Sequence, residues 1–345
     1  MVNREKYEVQ SPKSLGLNED DLVNRARGAL IGLAVGDALG SPTEGKTPEE
    51  IQRRWGRVTD FLSETQTGTD DTEYALFSAR LLLQHGRGLT PELAAQAWKD
   101  EIISAANEYK GAGFSEILTI TNLQRGLMPP YSGRHLHSWS DGLAMRVAPY
   151  GIAAAGHPER AAQLAECDGA VSHAGEGIFG GRAVAAAVAM AMIDAPLDEI
   201  FNAALAVIPA DSWSARAIGQ GLEIGQQNPE VWIALAPLYH RIACAFYHWS
   251  DLAPEAVGLA FGVLAATRGE FEAAVLGAVN VGRDTDTIAA IAGAIAGAKA
   301  GLKKIPAPWA ARIDTAKGNC IKTVKGLRLL EVADALAKKF SQPTE

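Results

Sequence analysis

The sequence predicts an all-α protein, a compact bundle of many helices. Apolar residues recur three and four residues apart through most of the 345-residue chain. No run rich in Val, Ile, Tyr and Thr is bounded by hairpin signals, and regular alternation of apolar and polar residues is hard to find. Aromatic residues make up only 7% of the chain, so we expect a core of Ala, Leu, Ile and Val, which suits closely packed helices.

The first predicted helix begins after Asn18, a good N-cap residue that is followed by three acidic residues, and it ends between Gly36 and Gly40. The loop at 126–141 is long enough to be a binding loop or a lid. We predict further helices near 48–55, 70–85, 91–109, 114–125, 142–155, 158–167, 176–193, 197–206, 212–226, 229–248, 254–267, 270–279, 285–301, 307–318 and 324–339. We expect loops at 40–48, 56–69, 126–141, 168–176 and 280–285.

Composition limits the organisation and the partners of the protein. Residues 1–20 read as a polar leader and 21–340 as a single domain, because no boundary is visible between them. The net charge of -8 and the lack of a basic stripe exclude nucleic acid as the main partner. The apolar stretch at 288–298 is too short to span a membrane. No signal peptide is evident and the three cysteines lie far apart, so we expect a cytoplasmic protein, with monomer or dimer left open.

Two acidic clusters stand at the starts of predicted helices. The first reads Gly-Thr-Asp-Asp-Thr-Glu at 68–73, and the second reads Gly-Arg-Asp-Thr-Asp-Thr at 282–287. Threonine and aspartate are good N-cap residues, and acidic side chains are favoured in the first turn of a helix. Taken singly, either cluster is therefore more typical of a capped helix than of a functional site.

Taken together, the two clusters favour a cation site. A cap needs one or two oxygen-bearing residues, whereas each cluster offers four or more in a row. Carboxylates gathered without a counter-ion repel each other, and hard cations such as Mg²⁺ or Mn²⁺ bind these oxygens without His or Cys. The sequence leaves open whether the two clusters meet in space.

Other segments carry further candidate side chains. Asp37 lies in an apolar helical pattern, where a half-buried carboxylate needs a partner, and structural support explains it as well as function does. Glu44 lies on a Gly/Pro loop that is free to reach into a cleft, although this feature alone favours a solvated loop glutamate. The segment 140–146 opens a predicted helix, and free N–H groups at such a start bind anions. His135 and His137 alternate without a third ligand nearby, so we predict no zinc site.

These segments, together with a loop at 172–175 that reads Ser-His-Ala-Gly, occur in the order typical of the ADP-ribosylglycohydrolase family, which includes the dinitrogenase-reductase-activating glycohydrolases. The sequence resembles this family over roughly residues 24–335. The pairing of the TDDT and DTDT motifs with an upstream GDALG is a specific signature, whereas either half alone is not. The segments are GLAVGDALGSPTE, GTDDTEYAL, SDGLAMRVAPYG, SHAG and GRDTDTIAAIAGAIAGA.

The resemblance implies an orthogonal all-α bundle that holds two divalent cations, Mg²⁺ or Mn²⁺, at the mouth of a cleft. It implies an ADP-ribosylated protein or a small ribosylated molecule as the substrate, and Glu44 matches a mobile acidic residue of the family. The implied metal ligands are Thr69, Asp70, Asp71, Asp284, Asp286 and Thr287. The segments that match the family's ADP-ribose contacts contain Ser140, Asp141, Gly142, Met145, Arg146, His173 and Gly175.

Two residues depart from the family pattern near the expected substrate. Asp141 stands where the family commonly has Asn, and a carboxylate there would repel a pyrophosphate unless it points away or binds sugar hydroxyls. Arg283 stands where a glycine or small residue is common, so it would narrow the cleft or pair with an anionic group of the substrate. Both departures favour an alternative substrate, a small free riboside or nucleotide derivative.

The expected reaction is hydrolysis of a glycosidic bond through an oxocarbenium-like state. Glu44, Asp70 or Asp71 would activate water or manage the proton of the leaving group, and Glu44 is preferred because metal ligation lowers the basicity of an aspartate. Two other functions stay open: an ADP-ribose-binding relative without catalysis, and an α-helical phosphohydrolase. The latter usually includes His among its metal ligands, and no His adjoins the clusters.

Overall fold

The computed structural model describes residues 18–104 and 113–341, and these residues confirm the all-α prediction. Residues 1–17 of the leader predicted at 1–20 and the end of the helix predicted at 91–109 lie outside them, whereas Glu19 and Asp20 belong to the first helix. Helices α1 to α8 span Glu19–Gly40, Pro48–Trp55, Asp70–His85, Pro91–Ala97, Phe114–Gln124, Ala148–Ala153, Pro158–Ser172 and Glu176–Ala191. Helices α9 to α16 span Leu197–Ala206, Trp213–Gln227, Val231–Ile242, Ala253–Ala266, Phe271–Asn280, Thr285–Ala300, Ala307–Ile313 and Leu329–Phe340.

Helices α1 and α14 form the tightest pair in the core. A Cβ atom at Gly32 would lie 2.2 Å from the carbonyl oxygen of Gly293, and one at Gly28 would lie 2.2 Å from that of Gly297. The backbones therefore touch, which confirms that the Ala/Gly steps of α14 serve close helix packing. This contact brings the C-terminal end of α1 beside the N-terminal start of α14.

Two predictions near the centre of the chain were wrong. The helix predicted at 142–155 is a 3₁₀ turn at Ala144–Arg146 followed by the short α6, which restarts where Pro149 suits a first helical turn. The loop predicted at 168–176 is helical as far as Ser172. The charge of Asp168 inside this helix is stabilised by a buried ion pair with Arg146, with 3.0 Å between the carboxylate oxygen and Nε.

Three predicted helices are shorter than their sequence patterns. The helix predicted at 229–248 ends at Ile242, because the backbone N–H of Cys244 donates to the buried carboxylate of Glu255 at 2.7 Å rather than continuing the helix. The helix predicted at 307–318 ends at Ile313, and the one predicted at 324–339 begins at Leu329. The carboxylate of Asp314 accepts from the N–H of Leu330 at 3.0 Å and so ties the segment between these two helices to the start of the second.

Within the described residues, no helix combines the length and the apolar character needed to cross a membrane. Three isolated β-bridges are the only strand-like pairings in this part of the chain: Lys46–Arg283, Ser140–Leu252 and Thr315–Arg328. The first two of them border the candidate site.

Candidate active site

The two acidic clusters, which lie about two hundred residues apart in the sequence, meet at the N-terminal ends of α3 and α14. The hydroxyl of Thr287 donates to Asp71 at 3.3 Å, which joins the second cluster to the first. Carboxylate oxygens of Glu44, Asp284 and Asp286 all lie within 4.8 Å of one another. The loop after α1 therefore adds a third acidic segment to the site.

Asp37 fixes the start of α3. Its fully buried carboxylate accepts from the backbone N–H of Thr69 at 2.7 Å and from the Thr69 hydroxyl at 2.6 Å. It also accepts from the N–H and the hydroxyl of Thr72. Burial raises the pKa of Asp37 to about 6, while these four hydrogen bonds favour the ionised form. Asp37 thus supports the cluster that carries Asp70 and Asp71.

A short pairing of backbones holds the Glu44 loop against the start of α14. The N–H of Gly45 donates to the carbonyl of Arg283 at 2.8 Å, and the N–H of Arg283 donates to that of Lys46 at 2.9 Å. Arg283 has a φ of 69°, in the left-handed region that a non-glycine residue seldom adopts. The Thr285 hydroxyl adds a bond to the carbonyl of Gly40 at 3.0 Å.

These segments surround a cavity of about 490 Å³, which we call the acidic cleft. It contains ten of the side chains or glycines proposed from the sequence: Glu44, Asp70, Asp71, Ser140, Asp141, Gly142, Met145, Asp284, Asp286 and Thr287. It also contains residues that were not predicted: Gly113, Phe114, Ser115, Glu116, His248, Trp249, Ser250 and Asp251.

The carboxyl groups of the acidic cleft are strongly destabilised in their charged form. Burial raises the pKa of Asp70, Asp71, Asp284 and Asp286 well above the usual value, and repulsion between neighbouring carboxylates raises it further. Partial burial also raises the pKa of Glu44, which Lys46 opposes. A buried set of carboxyl groups like this one is stable only if it is protonated or bound to a cation.

The donor set fits a hard divalent cation. Among the described residues, Oδ2 of Asp71 and Oδ1 of Asp286 are buried without a hydrogen-bond partner. The carboxylates of Glu44, Asp284 and Asp286 supply oxygen ligands alone, which Mg²⁺ and Mn²⁺ prefer. Buried orphan oxygens are costly unless a ligand satisfies them, so the geometry suits a cation better than it suits helix caps.

Arg146 lies behind the wall of the acidic cleft rather than in it. Its guanidinium is fully buried and donates to Asp168, to the carbonyl of Gly142 at 2.9 Å and to the hydroxyl of Ser172 at 2.8 Å. It also forms an ion pair with Glu116 across 3.4 Å. Its donors are thus taken up by acceptors of the protein.

His173 is part of a hydrogen-bonded ring that begins and ends at Glu116. The Ser115 hydroxyl donates to Glu116 at 2.7 Å, so Ser140 must donate to Ser115 at 2.8 Å. Nε2 of His173, 3.0 Å from the Ser140 hydroxyl, must then be the donor of that pair. Nδ1 accepts from Ser172 at 2.7 Å, and the buried guanidinium closes the ring. Burial lowers the pKa of His173 well below 6.5, which agrees with a neutral ring.

Arg283 binds the loop that follows α11 through hydrogen bonds. Its guanidinium pairs with buried Glu255 at 2.5 Å and donates to the backbone carbonyls of Trp249 at 2.8 Å and Tyr247 at 3.3 Å. The structure therefore places this side chain on the protein's own acceptors, with the loop that carries Trp249 and Asp251 as its partner. Gly175, with a φ of 55°, likewise lies behind the wall, where a Cβ would be 2.7 Å from the indole nitrogen of Trp139.

A repeated tripeptide, Trp-Ser-Asp, was the sequence signal that could have revealed Asp251. It occurs at 139–141 and again at 249–251. Residues 139–141 pair with residues 251–253 in antiparallel geometry, so Asp251 is the one residue of the second copy that takes part: the N–H of Asp141 donates to the carbonyl of Asp251, and the N–H of Ala253 donates to that of Trp139, both at 3.0 Å. Glu116 had no such signal, because it lies in an ordinary helical pattern.

Beyond the paired tripeptides lies a second cavity, of about 310 Å³, which we call the aromatic pocket. Ser140 and Asp251 line both cavities and so form their junction. His137 of this pocket stacks on Phe114 of the acidic cleft with ring centroids 5.1 Å apart, and Trp249 contacts both rings. The aromatic pocket is lined by Leu136, His137, Trp139, Ser140, Trp213, Cys244, Tyr247, Asp251 and Leu252.

Comparison with known proteins agrees with this architecture. The family model described as ADP-ribosylglycohydrolase matches residues 18–345. An uncharacterised protein from Archaeoglobus fulgidus is 34% identical over 291 residues, which cover 82% of this chain and 89% of the relative. A solved structure described as an ADP-ribosylglycohydrolase-related protein complex is 25% identical, with a TM-score of 0.66 over 94% of this chain and 100% of that chain.

Proposed function

The chain belongs to the ADP-ribosylglycohydrolase family, and we propose that it is a metal-dependent hydrolase of the N- or O-glycosidic bond of an ADP-ribosyl or closely related ribosyl group. The observation that carries this proposal is the meeting of the acidic segments in one cleft, where oxygens of Asp71 and Asp286 have no hydrogen-bond partner among the residues that the structure describes. A cleft of 490 Å³ has room for a ribosyl group beside those carboxylates.

Two divalent cations, Mg²⁺ or Mn²⁺, are the cofactors that we propose. When bound, they supply charge stabilisation to oxygens of the sugar and of water. The Thr69 hydroxyl gives its hydrogen to Asp37, so its lone pairs stay available to a cation. The side chains that would hold the cations are Thr69, Asp70, Asp71, Asp284, Asp286 and Thr287.

We assign Glu44 the proton transfer. It is exposed at the mouth of the acidic cleft, on the loop that the Arg283 backbone anchors, and its carboxylate lies within 4.8 Å of Asp284 and Asp286. Glu44 takes a proton from the attacking water, whose oxygen bonds to the anomeric carbon while the glycosidic bond breaks, and the leaving nitrogen or oxygen keeps the electron pair of that bond and receives the proton. Asp70 and Asp71 are the alternatives, and ligation to a cation makes them weaker bases.

The remaining residues proposed from the sequence divide into two groups. Those that line the acidic cleft would contact the substrate: Ser140, Asp141, Gly142 and Met145. The others would act by positioning their neighbours: Arg146 holds Glu116, His173 orients Ser140, Gly175 leaves room for Trp139, and Arg283 holds the loop that carries Asp251.

The test is hydrolysis of ADP-ribosyl-arginine, ADP-ribosyl-serine and a nucleoside panel with Mg²⁺ or Mn²⁺, with products identified by mass. We expect cation-dependent release of ADP-ribose or ribose that is lost in the Asp284→Ala/Asp286→Ala variant. The control Asp198→Ala changes an exposed residue of α9 and is expected to keep full activity. Tight ADP-ribose binding without turnover would instead indicate a binding protein, and release of inorganic phosphate would indicate a phosphohydrolase.

Glu44→Gln tests the assignment of the base. Loss of a positioned general base lowers kcat by about 10²–10⁴-fold, and we expect cation binding to persist because Glu44 is not one of the proposed ligands. The matched control is Glu49→Gln, an exposed glutamate in the first turn of α2. If Glu44→Gln keeps full turnover and substrate affinity, the proton is transferred elsewhere.

A further inference from the structure

We propose that Asp141 is an outer partner of the cation site: its carboxylate accepts a hydrogen bond from a water in the coordination shell of the cation that Asp284 and Asp286 hold. This inference rests on the proposed function and adds a positioning residue to its cation site. Asp141 is not one of the proposed ligands, so the role goes beyond the contact with substrate that its place in the acidic cleft suggests.

The carboxylate of Asp141 is buried in the wall of the acidic cleft and has an unsatisfied oxygen. The residue is 3% exposed, and it lines the cleft together with Asp284 and Asp286. Among the residues that the structure describes, its Oδ2 has no hydrogen-bond partner. A buried carboxylate oxygen without a partner is costly, so this oxygen calls for a hydrogen-bond donor that the filled site supplies.

The backbone fixes the position of Asp141. Its N–H donates to the carbonyl of Asp251 at 3.0 Å, and its carbonyl accepts from the N–H of Met145 at 3.1 Å. The preceding residue, Ser140, forms a β-bridge with Leu252. The position of Asp141 therefore depends on bonds of the main chain, and its side chain can be changed without removing any of them.

The charge of Asp141 acts on the second acidic cluster. Burial raises the pKa of Asp284 well above the usual value, and among the neighbouring charges that of Asp141 raises it most. Burial likewise raises the pKa of Asp141, and repulsion from Asp251 and Asp286 raises it further. Charges that act on one another in this way are close enough to share a counter-ion. A cation held by Asp284 and Asp286 would therefore attract the carboxylate of Asp141 as well.

The spacing of the oxygens favours contact through water. Among the described residues, the set of carboxylates whose oxygens all lie within 4.8 Å of one another consists of Glu44, Asp284 and Asp286, and Asp141 is outside it. A Mg²⁺ ion in a protein usually keeps several of its waters. A carboxylate beyond direct reach of the ion accepts hydrogen bonds from such waters and orients them, and loss of an outer partner of this kind typically weakens metal binding about 10–100-fold.

Asp251 provides the contrast, because basic groups of the protein already act on it. It lines the same cleft but is only partly buried. Burial raises its pKa, whereas a backbone hydrogen bond and the charges of His137 and Arg283 lower it. The strongest charges that act on Asp141 are all carboxylates. A cation in the cleft therefore matters more to Asp141 than to Asp251.

The first test is the affinity of the full chain for Mn²⁺ without substrate, measured by calorimetry and by electron paramagnetic resonance. Asp141→Asn keeps the shape of the side chain and removes its charge, and we expect it to weaken Mn²⁺ binding by about tenfold or more. Asp251→Asn removes the same charge from the same cleft, and we expect a loss several-fold smaller. Asp198→Asn, on the exposed side of α9, should bind Mn²⁺ as the wild type does.

Thermal unfolding distinguishes this role from simple support of the fold. In EDTA, Asp141→Asn removes a buried charge from a repelling group, so its unfolding midpoint should be higher than that of the wild type. The increase that Mn²⁺ produces should be smaller in the variant, because the ion binds less tightly. A residue that only stabilises the fold would lower the midpoint in both conditions, and that result would overturn the inference.

The number of waters bound to Mn²⁺ tests whether the contact runs through water. Water enriched in the magnetic isotope of oxygen broadens the Mn²⁺ resonance according to that number, and Asp141→Ala should leave it unchanged because the ion keeps its ligands. An additional bound water in this variant would indicate that Asp141 is a direct ligand and would overturn the outer role. Wild-type Mn²⁺ affinity in Asp141→Asn would overturn the inference and leave the proposed function standing. Absence of Mn²⁺ binding by the wild type would overturn both.

Discussion

At the scale of single residues, the direction of each hydrogen bond around His173 follows from one ionised group. Glu116 can only accept, so the hydrogens of Ser115 and Ser140 point toward it in turn and require Nε2–H on the imidazole. Protonation of His173 would add a hydrogen at Nδ1, where the Ser172 hydroxyl already donates. A buried cycle of hydrogen bonds like this one stabilises the fold only while each donor remains a donor and each acceptor remains an acceptor.

This constraint makes folding sensitive to acid through His173. Its folded-state pKa lies well below the unfolded value of about 6.5, so the unfolded chain binds more protons as pH falls through that value. Stability contributed by neutral His173 is therefore present above about pH 6.5 and is lost as pH decreases below it. Carboxylates with raised pKa values make the fold more stable as pH falls, which is the opposite trend. The contribution of His173 is therefore measured as the difference in unfolding free energy between the wild type and a variant without this imidazole.

We predict that the difference in unfolding free energy between the wild type and His173→Gln shrinks as pH falls from 7.5 to 5.5. Urea denaturation at several pH values measures this difference. His240→Gln, on the exposed side of α11, is the control, and its difference from the wild type should stay constant. A difference for His173→Gln that is independent of pH would show that the imidazole titrates alike in both states.

At the scale of elements, the contact between α1 and α14 sets the geometry of the site. Glycines at 28, 32, 36 and 40 form one stripe on α1, and α14 lies against all four. A Cβ at Gly36 would be 2.0 Å from the carbonyl oxygen of Ala289, and one at Gly40 would be 2.5 Å from Cα of Asp286. Backbone contact along the whole stripe thus extends to Asp286, a proposed cation ligand at the start of α14.

Gly32→Ala is predicted to lower both stability and cation affinity. The added Cβ meets the carbonyl oxygen of Gly293, a backbone atom that cannot turn aside, and overpacking of this kind costs about 1–3 kcal/mol or more. Gly219→Ala is the control, because a Cβ there has no neighbour within 4 Å and helix α10 should gain about 0.5–1 kcal/mol. Equal effects of the two substitutions in urea denaturation would contradict the close contact.

Local signals explain which elements were predictable from the sequence. The helices at 48–55, 70–85 and 197–206 have the predicted bounds, because caps, proline and apolar periodicity agree there. The end of α11 was not predictable, since it depends on the carboxylate of Glu255, eleven residues beyond Cys244. The apolar periodicity of the sequence continues beyond Ile242, although the hydrogen bond to Glu255 ends the helix there.

At the scale of the whole molecule, the site assembles from segments that only the fold brings together. The clusters at 68–73 and 282–287 were visible in the sequence as oxygen-rich residues at helix starts, and Glu44 was visible as an acidic residue on a loop. Their meeting depends on Asp37 and on the α1–α14 contact, which are long-range features without a local signature. Glu116 was missed for the same reason, because its burial depends on pairing with Arg146.

Assembly from distant segments predicts that cation binding stabilises them as one unit. A ligand at 100 times its Kd contributes about 2.7 kcal/mol to the stability of the state that binds it. We expect Mg²⁺ or Mn²⁺ to raise the thermal unfolding midpoint and to slow hydrogen exchange together in the Glu44 loop, at the start of α3 and at the start of α14. The same protein in buffer with EDTA, which removes divalent cations, gives the cation-free reference.

Two variants distinguish cation binding at this site from a general effect of salt on stability. Asp286→Asn removes a charge from a repelling group, so the cation-free protein should unfold at a higher temperature than the wild type, while the cation-induced increase should be lost. Asp198→Asn should show the wild-type response, because its carboxylate is exposed on α9. Slower exchange in one segment alone would mean that the cation binds a single helix start, and the two clusters would then lack the shared ion that their convergence implies.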